Sequence, residues 1–126
     1  MDRPTSLPPG TEPLGSADCL DHLVGSRIGY LATTDRALPV IVPVAITTDP
    51  GCLLLAPLFT ARIGEHPDSA RSDAVVALAV GDVEGEDTWC VVAQGILQGV
   101  PAGSGTHRRR FHPAVVAGWR RSATPA

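Results

Sequence analysis

The sequence contains no lysine, so arginine supplies all ten of its basic side chains. We interpret this mainly as codon bias in a GC-rich genome, although the planar guanidinium also suits phosphate recognition. The formal net charge of -3 argues against bulk electrostatic attraction to nucleic acid. Five of the arginines lie in the last twenty residues, so the rest of the chain is more acidic than the total indicates.

The sequence also lacks membrane and secretion signals. No apolar run approaches the roughly 18 residues that a membrane-spanning helix requires. The N-terminus does not have the charged-then-apolar layout of a signal peptide, so we expect a cytoplasmic protein without a membrane partner. Three cysteines with no close spacing indicate reduced thiols rather than a disulfide framework. A length of 126 residues predicts one folded domain.

The usual catalytic constellations are missing as well. There is no glycine-rich phosphate loop of the Walker or dinucleotide type, and no Ser/His/Asp set stands out. Cys19 and His22 lie one helical turn apart, but no second pair with ligand spacing completes a metal site. We therefore predict no metal and assign no catalytic residue. An enzyme with this sequence would need a bound cofactor to carry its reaction.

Proline and glycine are frequent near both ends of the chain. Residues 1–15 are expected to form a flexible leader. A folded domain is predicted over 16–101, beginning with a short helix that Ser16 would cap. Residues 102–126 are predicted to be an Arg-rich tail with a short helix over 113–121, because proline at position 113 suits a first helical turn.

Between these ends, the pattern is that of β-strands. Runs rich in Val, Ile, Thr and Tyr alternate with turn residues. Strands do not alternate with helices, which argues against a parallel doubly wound sheet. The fold class is therefore predicted to be mainly β, as a small antiparallel barrel with a few short helices. The predicted strands are 28–33, 39–46, 52–56, 74–83 and 89–100. Pro43, inside the second of them, marks an edge, a bulge or backbone opened towards a ligand.

Three segments carry a resemblance to a known family. They are IGYLATTDRALPVIVPVAI at 28–46, LLAPLFTARIG at 54–64 and VGDVEGEDTWCVVAQGILQGV at 80–100. With the preceding helix, they resemble the pyridoxamine 5'-phosphate oxidase-like family over about residues 16–100. The resemblance implies an FMN-binding split β-barrel of Greek-key type. It also implies a homodimer with cofactor sites at the interface, and an FMN-dependent oxidoreductase acting on a small molecule.

The resemblance further implies a set of cofactor-binding residues. Val42 to Ala45 would line the isoalloxazine ring, Arg62 would bind the FMN phosphate, and Trp89 and Gln94 would reach the site, often from the partner subunit. Many relatives carry an Arg-Thr pair on the phosphate where this chain has Ala56 and Pro57. The full set is Val42, Pro43, Val44, Ala45, Ala56, Pro57, Ala61, Arg62, Trp89 and Gln94.

Several alternatives stay open at this point. Pro43 equally fits an edge strand without a ligand, and Trp89 equally fits core or dimer packing. The barrel could hold the deazaflavin F420 or haem, or it could be a ligand-binding or dimeric interaction module that is not an enzyme. The arginines at 108–110 could meet a phosphate or an acidic partner, whereas a solubilising tail is the simpler interpretation.

Overall fold

The structure, a computed structural model, describes residues 10–58, 73–99 and 108–122. These residues form one short helix and a set of strands that follow each other closely along the chain. In chain order they are β1 (Thr11–Pro13), α1 (Ser16–Gly25), β2 (Ile28–Asp35), β3 (Leu38–Asp49), β4 (Cys52–Pro57), β5 (Ala74–Asp82), β6 (Asp87–Leu97) and β7 (Arg109–Ser122).

The strands close into a barrel. Neighbours run β7–β4–β3–β2–β5–β6, and β6 pairs back with β7, while β1 adds to β7. Each of these pairings is antiparallel. Strands β2, β3 and β4 follow one another as hairpins, and β5 returns to lie beside β2, which is a Greek-key arrangement. The predicted fold class, a mainly β antiparallel split barrel, is confirmed.

Side-chain alternation along the strands fills the barrel with apolar residues. The helix α1 packs against β6 and β7, and its residues Cys19 and Leu23 join this core. Gly118 of β7 permits the close approach, because a Cβ atom there would lie 2.9 Å from the Cys19 sulfur. Among the described residues, no helix has the length and apolar character needed to span a membrane. The core comprises Cys19, Leu23, Leu31, Val44, Ile46, Leu53, Leu55, Val76, Leu78, Val80, Val91, Ala93, Leu97 and Phe111.

The β2–β3 hairpin sets the register on which the candidate site depends. Its two central residues, Arg36 and Ala37, have φ values of 52° and 67°. Positive φ at both positions is typical of a type I′ turn, whose twist matches the flanking strands. The resulting register places Tyr30 directly opposite Pro43.

Two predictions for the N-terminal part of the chain are wrong. Residues 11–13, assigned to the flexible leader, form β1 and pair with β7. Gly15, not Ser16, is the N-cap of α1, and it makes no side-chain capping hydrogen bond. The first backbone bond of the helix instead runs from the Cys19 N–H to the Gly15 carbonyl, at 2.9 Å. Residues 1–9 lie outside the described residues.

The helix predicted over 113–121 is also wrong, because this segment belongs to β7. A β-bulge interrupts its pairing with β6, where Gln94 lies opposite Val115 while Gly95 lies opposite Pro113. The residue between them, Ala114, is the extra residue of the bulge. The shift breaks the period-2 pattern, so the apolar residues of the strand are spaced as on one face of a helix.

Candidate functional site

Much of the outer surface of the barrel is apolar. On β2, β3, β5, β6 and β7, the side chains that alternate with the core residues point outward. Contiguous exposed apolar surface of this kind marks an interface or a ligand-binding region. We call this surface the apolar outer face, and its largest exposed side chains are Ile28, Tyr30, Ile41, Val75, Ile96 and Val115.

Pro43 lies in β3 with strands on both sides, and the phase of the ladder shows where its backbone points. The Ile46 N–H donates to the Arg27 carbonyl at 2.8 Å. Hydrogen-bonded and non-hydrogen-bonded pairs alternate in antiparallel ladders, so Tyr30 and Pro43 form a non-hydrogen-bonded pair. The Pro43 carbonyl therefore faces β4, where it accepts a hydrogen bond from the Leu58 N–H at 3.1 Å.

The ladder between β3 and β4 ends at this point. Its last pair is Val44 with Pro57, and neither Pro43 nor Pro57 has an N–H to donate. The same alternation directs the N–H and C=O of Ile41 away from β2. Among the strands that the structure describes, none pairs with β3 on that side of Ile41. Within the described part of the chain, the backbone groups of Ile41 on this side of β3 therefore have no partner strand and can bond the polar edge of a ligand. We call this part of β3 the open edge.

Tyr30 stands beside this open edge, although it was not among the residues predicted from the sequence. It lies opposite Pro43 on one side and Ala79 on the other, and it is 57% exposed. Side chains of non-hydrogen-bonded pairs approach closely, so the aromatic ring flanks Pro43. The period-2 alternation of a strand could have identified Tyr30 as an outward-facing residue, because its neighbours Gly29 and Leu31 are buried.

The four residues predicted on β3 divide between the two faces of the strand. Val44 is 1% exposed within the core, and Val42 packs against the core. Pro43 and Ala45 alternate with them and face outward. The side chains that β3 offers to a ligand on the outer surface are therefore those of Pro43 and Ala45, together with Ile41.

The structure brings the predicted β4 residues next to those of β3. Ala56 lies opposite Ala45, and Pro57 lies opposite Val44. Ala56 continues the outward row of Ala45 but supplies neither charge nor hydroxyl. The predicted residues Ala61 and Arg62 lie outside the described residues.

Gln94 and Trp89, both on β6, lie on opposite faces of that strand. Gln94 is exposed on the outer surface, but β6 is three strands from β3, or about 14 Å along the sheet. Trp89 alternates in phase with Val91 and packs against the core. Its ring stacks on His22 of α1, with centroids 4.1 Å apart and an interplanar angle of 24°. Within one chain, the structure does not bring Trp89 or Gln94 to Pro43.

Basic side chains gather on the other side of β4, at the start of β7. Arg110 lies opposite Leu54 and pairs with Asp49 at 3.8 Å. The Nε of Arg109 donates to the Gln98 carbonyl at 3.1 Å. Burial lowers the pKa of Arg109, while nearby Asp73 raises it. Since the ordinary pKa of arginine is so high, the group stays cationic at neutral pH. We call Arg108, Arg110 and His112 the basic strip.

The thiols do not provide an activated nucleophile. The three cysteines are free, and Cys19 is buried. Burial raises the pKa of Cys90. Burial, followed by the charge of Asp49, raises the pKa of Cys52 against the opposing effect of Arg110. Raised pKa values keep Cys52 and Cys90 protonated near neutral pH, which makes them poor nucleophiles.

Comparisons with known proteins support the fold. No family model matches the chain, and no curated protein matches it. Solved structures do match. An FAD-binding protein from Mycobacterium smegmatis is similar with a TM-score of 0.67 and 23% identity, covering 87% of this chain and 97% of that one.

Two further structures are similar at lower identity. An FAD-binding protein from Mesorhizobium loti has a TM-score of 0.66 and 18% identity, covering 89% of this chain and 97% of its own. A protein from Corynebacterium glutamicum, proposed to be a pyridoxamine 5'-phosphate oxidase, has a TM-score of 0.65 and 15% identity, with coverage of 89% and 98%. At these identities the structural similarity establishes a shared fold. The family resemblance of the sequence is therefore confirmed at the level of the fold.

Proposed function

We propose that this protein binds a flavin at the open edge of β3 and uses it to oxidise or reduce a small molecule. The observation that carries the proposal is the end of the described ladder at Pro43, beyond which the backbone of Ile41 has no partner among the described strands and lies beside the exposed ring of Tyr30. An isoalloxazine ring has a flat apolar surface and a polar edge, so it matches both features. FMN is the candidate from the sequence resemblance, and FAD is the candidate from two of the similar structures.

In this proposal, each described residue has a separate role. The Ile41 backbone hydrogen-bonds the polar edge of the ring, and Tyr30 packs against the apolar surface of the ring. Pro43 has no N–H to donate to the strand ladder beside Ile41. A bound flavin would supply the electron-transfer chemistry that the described side chains do not offer. The protein's contribution is to bind and orient the ring and to exclude water from it.

We also propose that a second copy of the chain covers the apolar outer face. A cluster of exposed large apolar side chains is typical of a protein interface, and soluble oligomers are most often symmetric dimers. Gln94 lies on this face but three strands from Pro43 in its own chain. With a partner copy packed on this face, Gln94 of one chain would reach the flavin bound to the other. Dimerisation would then complete the site.

A titration of the purified full-length protein tests the flavin proposal. FMN and FAD fluorescence would be followed as protein is added, with F420 and haem titrated in parallel. We expect saturable binding of FMN or FAD at micromolar protein or below. A protein that binds neither flavin would contradict the proposal, and saturable binding of F420 or haem alone would replace the flavin by that cofactor.

A second candidate function is a dimeric interaction module without a cofactor. It is favoured by Ala56, which places no charge or hydroxyl next to Ala45. The same titration separates the two functions. A stable dimer that binds no flavin supports the module, whereas a dimer that binds flavin supports the oxidoreductase.

A further inference from the structure

A cleft lies between α1 and the turn of the β3–β4 hairpin. Residues of the helix and of the hairpin line it, together with Pro113 of β7. Its volume is about 330 Å³, which is in the range of small-molecule sites. An apolar cavity of about 150 Å³ is sufficient to bind benzene, so this cleft has room for a molecule of about two aromatic rings.

The side of the cleft that α1 provides is apolar and partly exposed to solvent. Leu20 and Val24 both line the cleft, and they are 42% and 55% exposed. The two residues are four positions apart in the helix, so they share one of its faces. An apolar ligand in the cleft would remove both side chains from water, which favours binding.

The hairpin side of the cleft provides a carboxylate. Asp49 and Cys52 are paired at the end of the β3–β4 ladder, and both line the cleft. The Oδ2 atom of Asp49 is 3.8 Å from the Cys52 sulfur and 3.8 Å from the Arg110 Nη2. A charge-assisted N–H···O bond is about 2.7–2.9 Å long, so the carboxylate retains acceptor capacity. Because Arg110 offsets its charge, a neutral O–H donor suits Asp49 better than an ammonium group does.

The cleft is separate from the proposed flavin site. Asp49 follows Pro43 by six residues on β3, which corresponds to about 20 Å along the strand. A molecule of two rings in the cleft would therefore not touch a ring bound beside Pro43. A ligand in the cleft is independent of the flavin function proposed above.

We propose that this cleft is a second binding site, for a small apolar molecule whose hydroxyl group donates a hydrogen bond to the Asp49 carboxylate. Leu20 and Val24 contact the apolar body of the molecule. Cys52 lies beside the ligand without reacting with it, since its raised pKa keeps the thiol protonated. The class of ligand is a bicyclic alcohol or phenol, or another alcohol of similar size.

Binding of 2-naphthol to the full-length protein tests this proposal by isothermal titration calorimetry at neutral pH. Two probes of similar size are the controls. Quinoline has two rings without a hydrogen-bond donor, and 2-naphthoate replaces the hydroxyl by an anion. We expect a dissociation constant below about 1 mM for 2-naphthol. Both controls should bind at least about tenfold more weakly, because they cannot donate to the carboxylate.

Two substitutions separate the apolar side of the cleft from the carboxylate. Val24→Asn should weaken 2-naphthol by about fivefold, whereas Val83→Asn, at an exposed valine outside the cleft, should leave it unchanged. Asp49→Asn should weaken 2-naphthol by about tenfold without weakening quinoline. Thermal melts verify that each variant is folded before affinities are compared.

Cys52 reports where the probe binds. Saturating 2-naphthol should slow the alkylation of Cys52 by iodoacetamide, because the thiol lines the cleft. Cys90, which lies opposite Gly81 and Trp119, should react at an unchanged rate. Peptide mass spectrometry after timed labelling measures both thiols in the same sample.

Several results would overturn the proposal. They are a 2-naphthol dissociation constant above about 1 mM, equal binding of 2-naphthoate, or binding that leaves Cys52 unprotected. Displacement of 2-naphthol by FMN would assign the probe to the proposed ring site and overturn a second site as well. Protein that binds 2-naphthol in the cleft but binds no flavin would overturn the proposed function and leave this inference standing.

Discussion

The apolar outer face and the basic strip occupy the same barrel but arise in different ways. The apolar face follows from strand alternation and from the ladder end at Pro43, so the fold itself produces it. The basic strip depends on single side chains at the start of β7. The proposed ring site uses the backbone and is therefore tied to the fold, whereas the basic strip can be lost or moved by single substitutions. Substitutions in the two regions should therefore have separable effects.

The largest effect is expected from a charge on the apolar outer face. Val115→Glu would bury an unpaired carboxylate in the proposed dimer, and we expect the dimer dissociation constant to rise by about a hundredfold or more. Flavin affinity should fall with it if the partner completes the site. Size-exclusion chromatography with light scattering gives the oligomeric state over a concentration series.

A matched control places the same charge away from that face. Val83, exposed in the turn between β5 and β6, is the control, and Val83→Glu should leave the dimer unchanged. A Val115→Glu protein that remains as dimeric as Val83→Glu would show that the apolar outer face is not the interface.

A smaller effect is expected at the ring. Tyr30→Ala removes the aromatic surface beside Pro43, so riboflavin, FMN and FAD should all weaken by about tenfold. Tyr30→Phe keeps the ring and should remain within about twofold of the wild type. Equal affinities in Tyr30→Ala and Tyr30→Phe would remove Tyr30 from the site. A loss confined to FMN would assign Tyr30 to the phosphate instead.

The backbone donor of the open edge can be tested by itself. Ile41→Pro removes one N–H on the side of β3 that has no described partner strand, and edge positions tolerate proline. One neutral hydrogen bond corresponds to about a fivefold loss of affinity for all three flavins. Ile41→Val keeps the N–H and is the control. Isothermal titration calorimetry of both variants would detect the difference, and equal affinities would contradict the role of this donor.

The smallest expected effect is a change in the pH at which one thiol reacts, measured against a second thiol near the other region. A raised thiol pKa means that the folded state binds the thiol proton more tightly than the unfolded state does. The protonated thiol therefore adds to the stability of the folded state below the ordinary thiol pKa. This contribution is lost as the pH rises through the folded-state pKa. Arg110→Gln removes a charge that lowers the pKa of Cys52, so alkylation of Cys52 should shift to higher pH, while Cys90 stays unchanged. Peptide mass spectrometry after iodoacetamide labelling across pH measures both thiols, and a parallel shift of Cys90 would contradict the local cause.

Local patterns in the sequence were sufficient for the barrel and for part of the site. Each of the five predicted strands has a continuous apolar run between turn residues, and all five are present as β2 to β6. Pro43 was identified because a proline inside a strand interrupts ladder bonding wherever it occurs. The short turn between β3 and β4 brings Ala45 opposite Ala56.

Features that depend on distant pairing could not be obtained in this way. The bulge at Ala114 shifts the pattern of β7, so its apolar residues matched a helix better than a strand. The three residues of β1 gain their structure from β7 and carry no pattern of their own. Arg110 comes beside Leu54 only after β7 pairs with β4, more than fifty residues away along the chain. Trp89 was a reasonable cofactor residue by resemblance, but its stacking on His22 depends on where α1 packs.

Sedimentation velocity detected at the visible absorption band of the flavin tests the central claim most directly. Full-length protein mixed with FMN or FAD would be compared with the free flavin and with Val115→Glu. We expect flavin absorbance to sediment with the dimer, with about one flavin per chain. Flavin absorbance that remains at the rate of the free nucleotide, or that moves with a monomer, would contradict it.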